Sequence, residues 1–245
     1  NTGTIVDEGW NAGHDTVYAS VNFKLQDNSF VETLELTGNA DLSLTGNNAY
    51  NTLIGNAGND SLDGGGGTGV DTLIGGGGND TYYVHNLREL IVEKPGGGID
   101  TVVEDVEVQG LAANVENLVQ VGTSNLKAFG NSLDNVITGN AGNNKIFGYD
   151  GNDTIVGNAG NDTIDGGAGT DTVAYNGNMA DYHVTATSSG FTVQDMVHGQ
   201  GTDSITNVES LKFADQTFQL PVAVHSAGGG SSSSSGSSSG GSSSG

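Results

Sequence analysis

Single apolar positions recur along this chain with a period of nine. In one stretch they fall at Leu53, Leu62, Leu73 and Tyr82, and in a second at Ile137, Ile146, Ile155, Ile164 and Val173. Each sits in a run of about three strand-forming residues, and glycine, asparagine and aspartate fill the rest of the period. Six residues of that kind make a turn and three make a short strand. Two such rows complete one coil of about 18 residues, and coils stack at the spacing of paired strands, about 4.8 Å. The recurring residues then alternate between two walls and point inward, where branched aliphatics suit a thin core filled from both sides. The pattern predicts an all-β fold, a right-handed parallel β-roll (β-solenoid).

Written out, the rows of the second stretch are GNSLDNVIT, GNAGNNKIF, GYDGNDTIV, GNAGNDTID and GGAGTDTVA, running from Gly130 to Ala174. The first stretch reads GNNAYNTLI and GNAGNDSLD from Gly46, then two extra glycines, Gly64 and Gly65, then GGTGVDTLI and GGGGNDTYY to Tyr83. A longer repeat encloses both blocks, since Gly98-Ile99-Asp100-Thr101-Val102 echoes Gly13-His14-Asp15-Thr16-Val17. The expected organisation follows. Residues 1–45 are a β segment continuing an upstream repeat, 46–83 a first block, and 84–129 connecting rungs without the nonapeptide turns. Residues 130–174 are a second block, 175–220 a C-terminal β cap, and 221–245 a Gly/Ser linker or tail. The connecting segment holds Leu90-Ile91-Val92, Thr101-Val102-Val103 and Leu118, which favour added rungs and one elongated body over a flexible linker.

Charge sharpens the picture. The chain has 29 acidic and 6 Lys+Arg residues among 245, a formal net charge of −23. Nucleic acid and anionic membranes repel such a chain, and cations attract it. There is no cysteine, which removes disulfides and thiolate metal sites. No apolar run reaches the roughly 20 residues of a membrane span.

The acids are placed in phase. Position six is Asp in six of the nine rows and Asn in the other three, so carboxylates form a file along each edge of the roll. Calcium takes six to eight oxygen ligands from carboxylates and carbonyls. Rows two apart share an edge, so each ion would lie between row n and row n+2. The alternative is a turn that satisfies its own backbone, with asparagine ladders in place of metal. Nine rows in phase favour calcium.

These rows resemble the RTX (repeats-in-toxin) family. The resemblance is carried by GGTGVDTLIGGGGNDTYYV and GYDGNDTIVGNAGNDTIDGGAGTDTV, with the flanking ELIVEKPGGGIDTVVEDVEVQGLAANVENL and TDSITNVESLKFADQTFQL. It implies several Ca2+ ions in the turns of a secreted, extracellular or cell-surface protein. It also implies export through a type I secretion apparatus and attachment to the rest of a larger polypeptide. In the family's sites the earlier row gives carbonyls from positions two and four plus its Asp, and the later row carbonyls from positions one and three plus its Asp. Carried over, one site uses Asn56, Gly58 and Asp60 with Gly75, Gly77 and Asp80. Another uses Tyr149, Gly151 and Asp153 with Gly166, Ala168 and Asp171. Sites of lower charge follow where position six is Asn51, Asn135 or Asn144. There Gly66, Thr68 and Asp71, or Gly148, Asp150 and Asp153, or Gly157, Ala159 and Asp162 form the later row. Glu89, at position six of a degenerate row, is a partner for Asp71.

No catalytic constellation is expected. HExxH, GxSxG and GxxxxGK[ST] are absent from the sequence. The repeated carboxylates sit in equivalent environments, whereas paired acid–base catalysts need unlike ones. The expected function is a calcium-dependent folding and secretion module. A structural rod of an adhesin, surface-layer or matrix protein, or a non-catalytic module of a secreted enzyme, are the alternatives.

Overall fold

The computed structural model describes residues 13–107 and 110–221. The mid-repeat start expected at Asn1 and the tail expected beyond residue 221 lie outside the described residues. Within them the chain is all-β, with one single-turn 3-10 helix at Met179–Asp181.

The strands, in chain order, are β1 (Thr16–Ala19), β2 (Phe23–Lys24), β3 (Thr33–Leu36), β4 (Ser43–Thr45), β5 (Thr52–Ile54), β6 (Ser61–Asp63), β7 (Thr72–Ile74) and β8 (Thr81–Val84). Next come β9 (Leu90–Val92), β10 (Thr101–Glu104), β11 (Asn117–Gln120), β12 (Lys127–Phe129), β13 (Val136–Thr138), β14 (Lys145–Phe147), β15 (Thr154–Val156), β16 (Thr163–Asp165) and β17 (Thr172–Ala174). The last are β18 (Tyr182–Ala186), β19 (Phe191–Asp195), β20 (Thr202–Thr206), β21 (Ser210–Lys212) and β22 (Thr217–Gln219).

In both blocks the strands occupy positions seven to nine of each row. Alternate rows pair in parallel and in line, as in Leu53 with Leu73 or Ile146 with Ile164. The result is a parallel β-solenoid. All nine predicted inward residues are fully buried. They form columns, one of them running Leu44, Leu62, Tyr82, Val102, Leu118, Ile137, Ile155, Val173 and Leu211. Each buried aliphatic contributes about 1.5–3 kcal/mol from removal of its apolar surface from water.

One wall is a single sheet with the order β2-β4-β6-β8-β10-β11-β13-β15-β17-β21-β22. It passes through both blocks and the segment between them, making one continuous body. The other wall is two sheets, β1-β3-β5-β7-β9 and β12-β14-β16-β20-β19-β18. The break arises because β10 and β11 follow each other on the same wall, pairing Val102 with Leu118. Val106, Leu111 and Ala112 pack against the core in place of an opposing strand. The Leu111 N–H donates to the Phe129 carbonyl (3.0 Å), extending the edge of the second sheet. Even-numbered rungs of the first block therefore share a sheet with odd-numbered rungs of the second.

Parallel stacking ends at the C-terminal side. There β18, β19 and β20 run antiparallel, as do β21 and β22. Tyr175, Tyr182 and Phe213 cluster there with ring centroids 5.0–5.6 Å apart, Tyr175 stacked on Phe213 and Tyr182 tilted against both. Packed aromatic faces supply a closing layer where no further rung follows.

Candidate metal centres

The position-six side chains lie in files between successive coils. Each carboxylate accepts a hydrogen bond from the position-six N–H of the preceding rung on its wall. Asp60 N–H donates to Asp80 Oδ1 (2.7 Å), and Asp80 N–H to Asp100 Oδ1 (2.8 Å). Asp100 N–H donates to Glu116 Oε2 (2.9 Å), Asn135 N–H to Asp153 Oδ1 (2.8 Å) and Asp153 N–H to Asp171 Oδ1 (2.8 Å). The facing wall repeats this with Asn51 and Asp71 in the first block, then Asn144, Asp162 and Asp203 in the second.

The second carboxylate oxygen divides the rows into two kinds. In the rows that open each file, position two is Asn47, Asn56, Asn131 or Asn140. Its N–H donates back to the position-six oxygen of the same row, at 2.7–2.9 Å. The amide of that same asparagine reaches down to carbonyls of the rung beneath. Asn131 Nδ2 donates to Ala112 and Val115, and Asn140 Nδ2 to Val121 and Ser124. Asn51 and Asn135 add their own amide donors to Val31 and Glu116. An amide cation-substitute thus closes the lower end of these files.

In the inner rows position two turns into the left-handed region, including two residues with full side chains, Tyr149 (φ 76°) and Asn158 (φ 67°). The local N–H no longer reaches position six. The Oδ2 atoms of Asp80, Asp153, Asp162 and Asp171 are buried without a hydrogen-bond partner. These are the atoms for which water has been removed and nothing supplied, the arrangement a bound cation resolves. A side chain at Gly148 would collide with both Asp153 Oδ2 and the Gly166 carbonyl. The free carboxylate oxygen and the carbonyl of the next coil therefore meet over the bare α-carbon.

Burial raises these carboxyl groups. Asp71 and Asp153 are pushed up to about 6, and Asp80 and Asp162 to about 7, mainly by loss of water and secondarily by neighbouring carboxylates. Asp60 and Asp171 are raised for the same reason. Such groups exclude unpaired charge and accept either a proton or a metal.

The residues named from the sequence come together in pairs of coils. Gly77 N–H donates to the Asn56 carbonyl (3.0 Å), and the Gly58 carbonyl faces Gly78. The Gly75 carbonyl meets Gly55 beside Asp60 Oδ2. In the second block Ala168 N–H donates to the Tyr149 carbonyl (2.6 Å), and Gly151 N–H to the Ala168 carbonyl (3.0 Å). Gly148 and Asp150 belong to the coil above Asn131 and Leu133, with Gly151 against the Leu133 carbonyl. Gly157 and Ala159 belong to the coil above Asn140 and Gly142, with the Gly157 carbonyl beside Asn144 Oδ1.

One placement differs. The Gly64 carbonyl, not that of Gly66, faces Gly46, and Gly69 lies against the Ala49 carbonyl. The two-residue insertion is therefore taken up inside the turn, and Gly66 and Thr68 sit in a widened loop. Asp71 keeps its place, with Asn51 N–H at 2.7 Å from Oδ1. Glu89 follows Asp71 in the same file, since Leu90 N–H donates to the Asp71 carbonyl (2.8 Å). Burial raises Glu89 to about 7.

Two features escape the nonapeptide pattern. Asp100 and Glu116 extend the file beyond the first block. Asparagine side chains at position five form an exposed outer ladder, Asn79 N–H to Asn59 Oδ1 (2.6 Å) and Asn161 N–H to Asn143 Oδ1 (2.8 Å). The recurrence of Asn before Asp carries that second signal in the sequence.

Comparison with known proteins agrees with this geometry. The profile of the RTX calcium-binding nonapeptide repeat matches in four copies, at residues 43–70, 66–85, 129–162 and 147–177. A search of curated proteins finds no match. The matched residues are those whose turns carry the unpartnered carboxylates of the two blocks. The two blocks are thus built of RTX calcium-binding nonapeptide repeats.

Proposed function

We propose that this chain is a calcium-triggered folding module of an exported bacterial protein, without catalysis of its own. The observation that carries the reading is the inner-row pattern: a buried carboxylate oxygen without a partner, repeated at Asp80, Asp153, Asp162 and Asp171, and lying beside a carbonyl of the next coil at Asp153 and Asp171. The ligand sets are Asn56, Gly58 and Asp60 with Gly75, Gly77 and Asp80, and Tyr149, Gly151 and Asp153 with Gly166, Ala168 and Asp171. Sites of lower charge involve Asp71, Gly148, Asp150, Gly157, Ala159 and Asp162, with Gly64 taking the position-one role in the widened row.

Without metal these carboxylates repel one another inside the turns. At a dissociation constant of about 0.1 mM, millimolar calcium adds about 1.4 kcal/mol per site. Four sites then add about 6 kcal/mol, comparable with the stability of a whole domain. At cytosolic, sub-micromolar calcium that contribution vanishes. The chain is then extended enough to pass a secretion channel of the type I kind and folds on reaching the calcium outside. None of the described helices is long and apolar enough to cross a membrane.

Far-UV circular dichroism during a calcium titration tests the reading. A disordered spectrum in EDTA that converts to a β spectrum at millimolar calcium is expected. A β spectrum already complete in EDTA contradicts it. A second reading, a rigid rod in an adhesin or matrix protein, draws on the sheet that runs unbroken through both blocks. It differs by requiring a fold that persists whatever the calcium level.

A further inference from the structure

The file of carboxylates does not stop where the nonapeptides do. Above Asp80 lies Asp100, and beside both lies Glu93, which belongs to neither block. Ligand oxygens of Asp80, Glu93 and Asp100 all lie within 4.8 Å of one another. Asp80 and Asp100 are 1 % and 0 % exposed, and each has an Oδ2 atom with no hydrogen-bond partner. Glu93 is held in place from two sides. The buried Tyr82 hydroxyl donates to its Oε1, and the Lys94 N–H donates to its Oε2 (3.1 Å). A side chain at Gly75 would strike Asp80 Oδ2, Glu93 Oε1 and the Tyr82 hydroxyl together, so the three groups converge over one bare α-carbon.

We propose that Asp80, Glu93 and Asp100 hold a divalent cation of their own, a calcium site that closes the first block and ties it to the connecting rungs. This rests on the calcium reading of the repeats but adds ligands outside them, since the matched repeat ends at residue 85. The donors named are all oxygens, which suits a hard cation and disfavours zinc. Three carboxylates give this centre one more negative ligand than a nonapeptide pair. It is therefore among the first sites to fill as calcium rises, and its filling orders Glu93 and the turn before β10. Tyr82 is the one aromatic residue among the nine inward positions of the rows, and its hydroxyl positions a ligand where aliphatic residues elsewhere only fill space.

Calorimetric calcium titration of the full chain tests the site. Glu93→Gln keeps the shape of the side chain and an acceptor for Tyr82 but removes the charge. One ion should be lost, or bound roughly tenfold more weakly, with the remaining ions unchanged. Asp100→Asn should affect the same ion, and the double variant should lose no second one. Tyr82→Phe should lower the tyrosine-sensitised luminescence of bound terbium. That second readout stands even if Glu93→Gln fails to fold. Ion number and affinities unchanged in Glu93→Gln, or undiminished terbium emission in Tyr82→Phe, would overturn the site while leaving the repeats as calcium binders. A wild-type chain that takes up no calcium would instead defeat the reading of the repeats themselves.

Discussion

At the scale of single residues, the decisive choice is made at position two of each row. An extended Asn there satisfies the position-six oxygen locally, as Asn131 does for Asn135 (2.8 Å). A left-handed residue leaves that oxygen free, as Tyr149 does for Asp153. Asp153 reaches both ways: its Oδ1 takes the Asn135 N–H and its Oδ2 lies with the Gly166 carbonyl. Asp153→Ala should therefore remove more calcium in calorimetric titration than Asn144→Ala, and equal losses would contradict the row pairing. Protons compete for the same atoms. In the metal-free folded chain Asp153 sits at about 6 and Asp80 and Asp162 at about 7, above the ordinary aspartate value of 3.8. A raised folded value means the folded state binds more protons than the unfolded one between pH about 4 and 7. Acidifying the calcium-free chain through that window should increase its β signal, and a signal that falls instead would contradict the burial of these groups. The phase of the aspartates was legible in the sequence. Which oxygen stays free was not, because it depends on the backbone angle of Tyr149 and Asn158, residues without a glycine's signature.

At the scale of the element, each row is a three-residue strand that has no stability alone and gains it by lending one side chain to a shared column. Ile155 is fully buried between Ile137 and Val173. Ile155→Ala should cost about 2–5 kcal/mol, measured by denaturant unfolding in saturating calcium. A cost below about 1 kcal/mol would mean that the column is not close-packed. Inward positions were readable because burial on a two-walled roll demands one apolar residue per row. The site of the insertion was not readable, since any residue of the run Gly64-Gly65-Gly66-Gly67 satisfies a position-one requirement. Only stacking of Gly64 on Gly46 distinguishes them. The asparagines of Asn51, Asn135 and Asn144 read as missing charge in the sequence. In the fold they mark the row at which each file begins, two of them turning an amide toward the backbone carbonyls below.

At the scale of the whole molecule, the change of phase between β10 and β11 lets one wall run through while the other is interrupted. Asp60, Asp80, Asp100, Glu116, Asn135, Asp153, Asp171 and Glu209 follow one another along that unbroken wall. The two blocks are thereby coupled through backbone pairing and through a continuous polar edge. The apolar runs of residues 84–129 pointed to rungs; nothing in them pointed to the skipped strand, because Val106 and Leu111 are as apolar as strand residues while packing from irregular backbone. Small-angle scattering of the calcium-loaded chain, trimmed of its Gly/Ser tail, should give a rigid-rod profile, and a flexible two-bead profile would refute the coupling. The central claim is that cations occupy the spaces above the inner rows and amides occupy those below the opening rows. A crystal structure of the calcium-loaded chain, with ions located by anomalous scattering, tests it most directly. The account predicts ions about 2.3–2.6 Å from the free oxygens of Asp80, Asp153, Asp162 and Asp171, and none beneath Asn47, Asn56, Asn131 and Asn140. Ions beneath those asparagines, or water alone beside the inner aspartates, would contradict it.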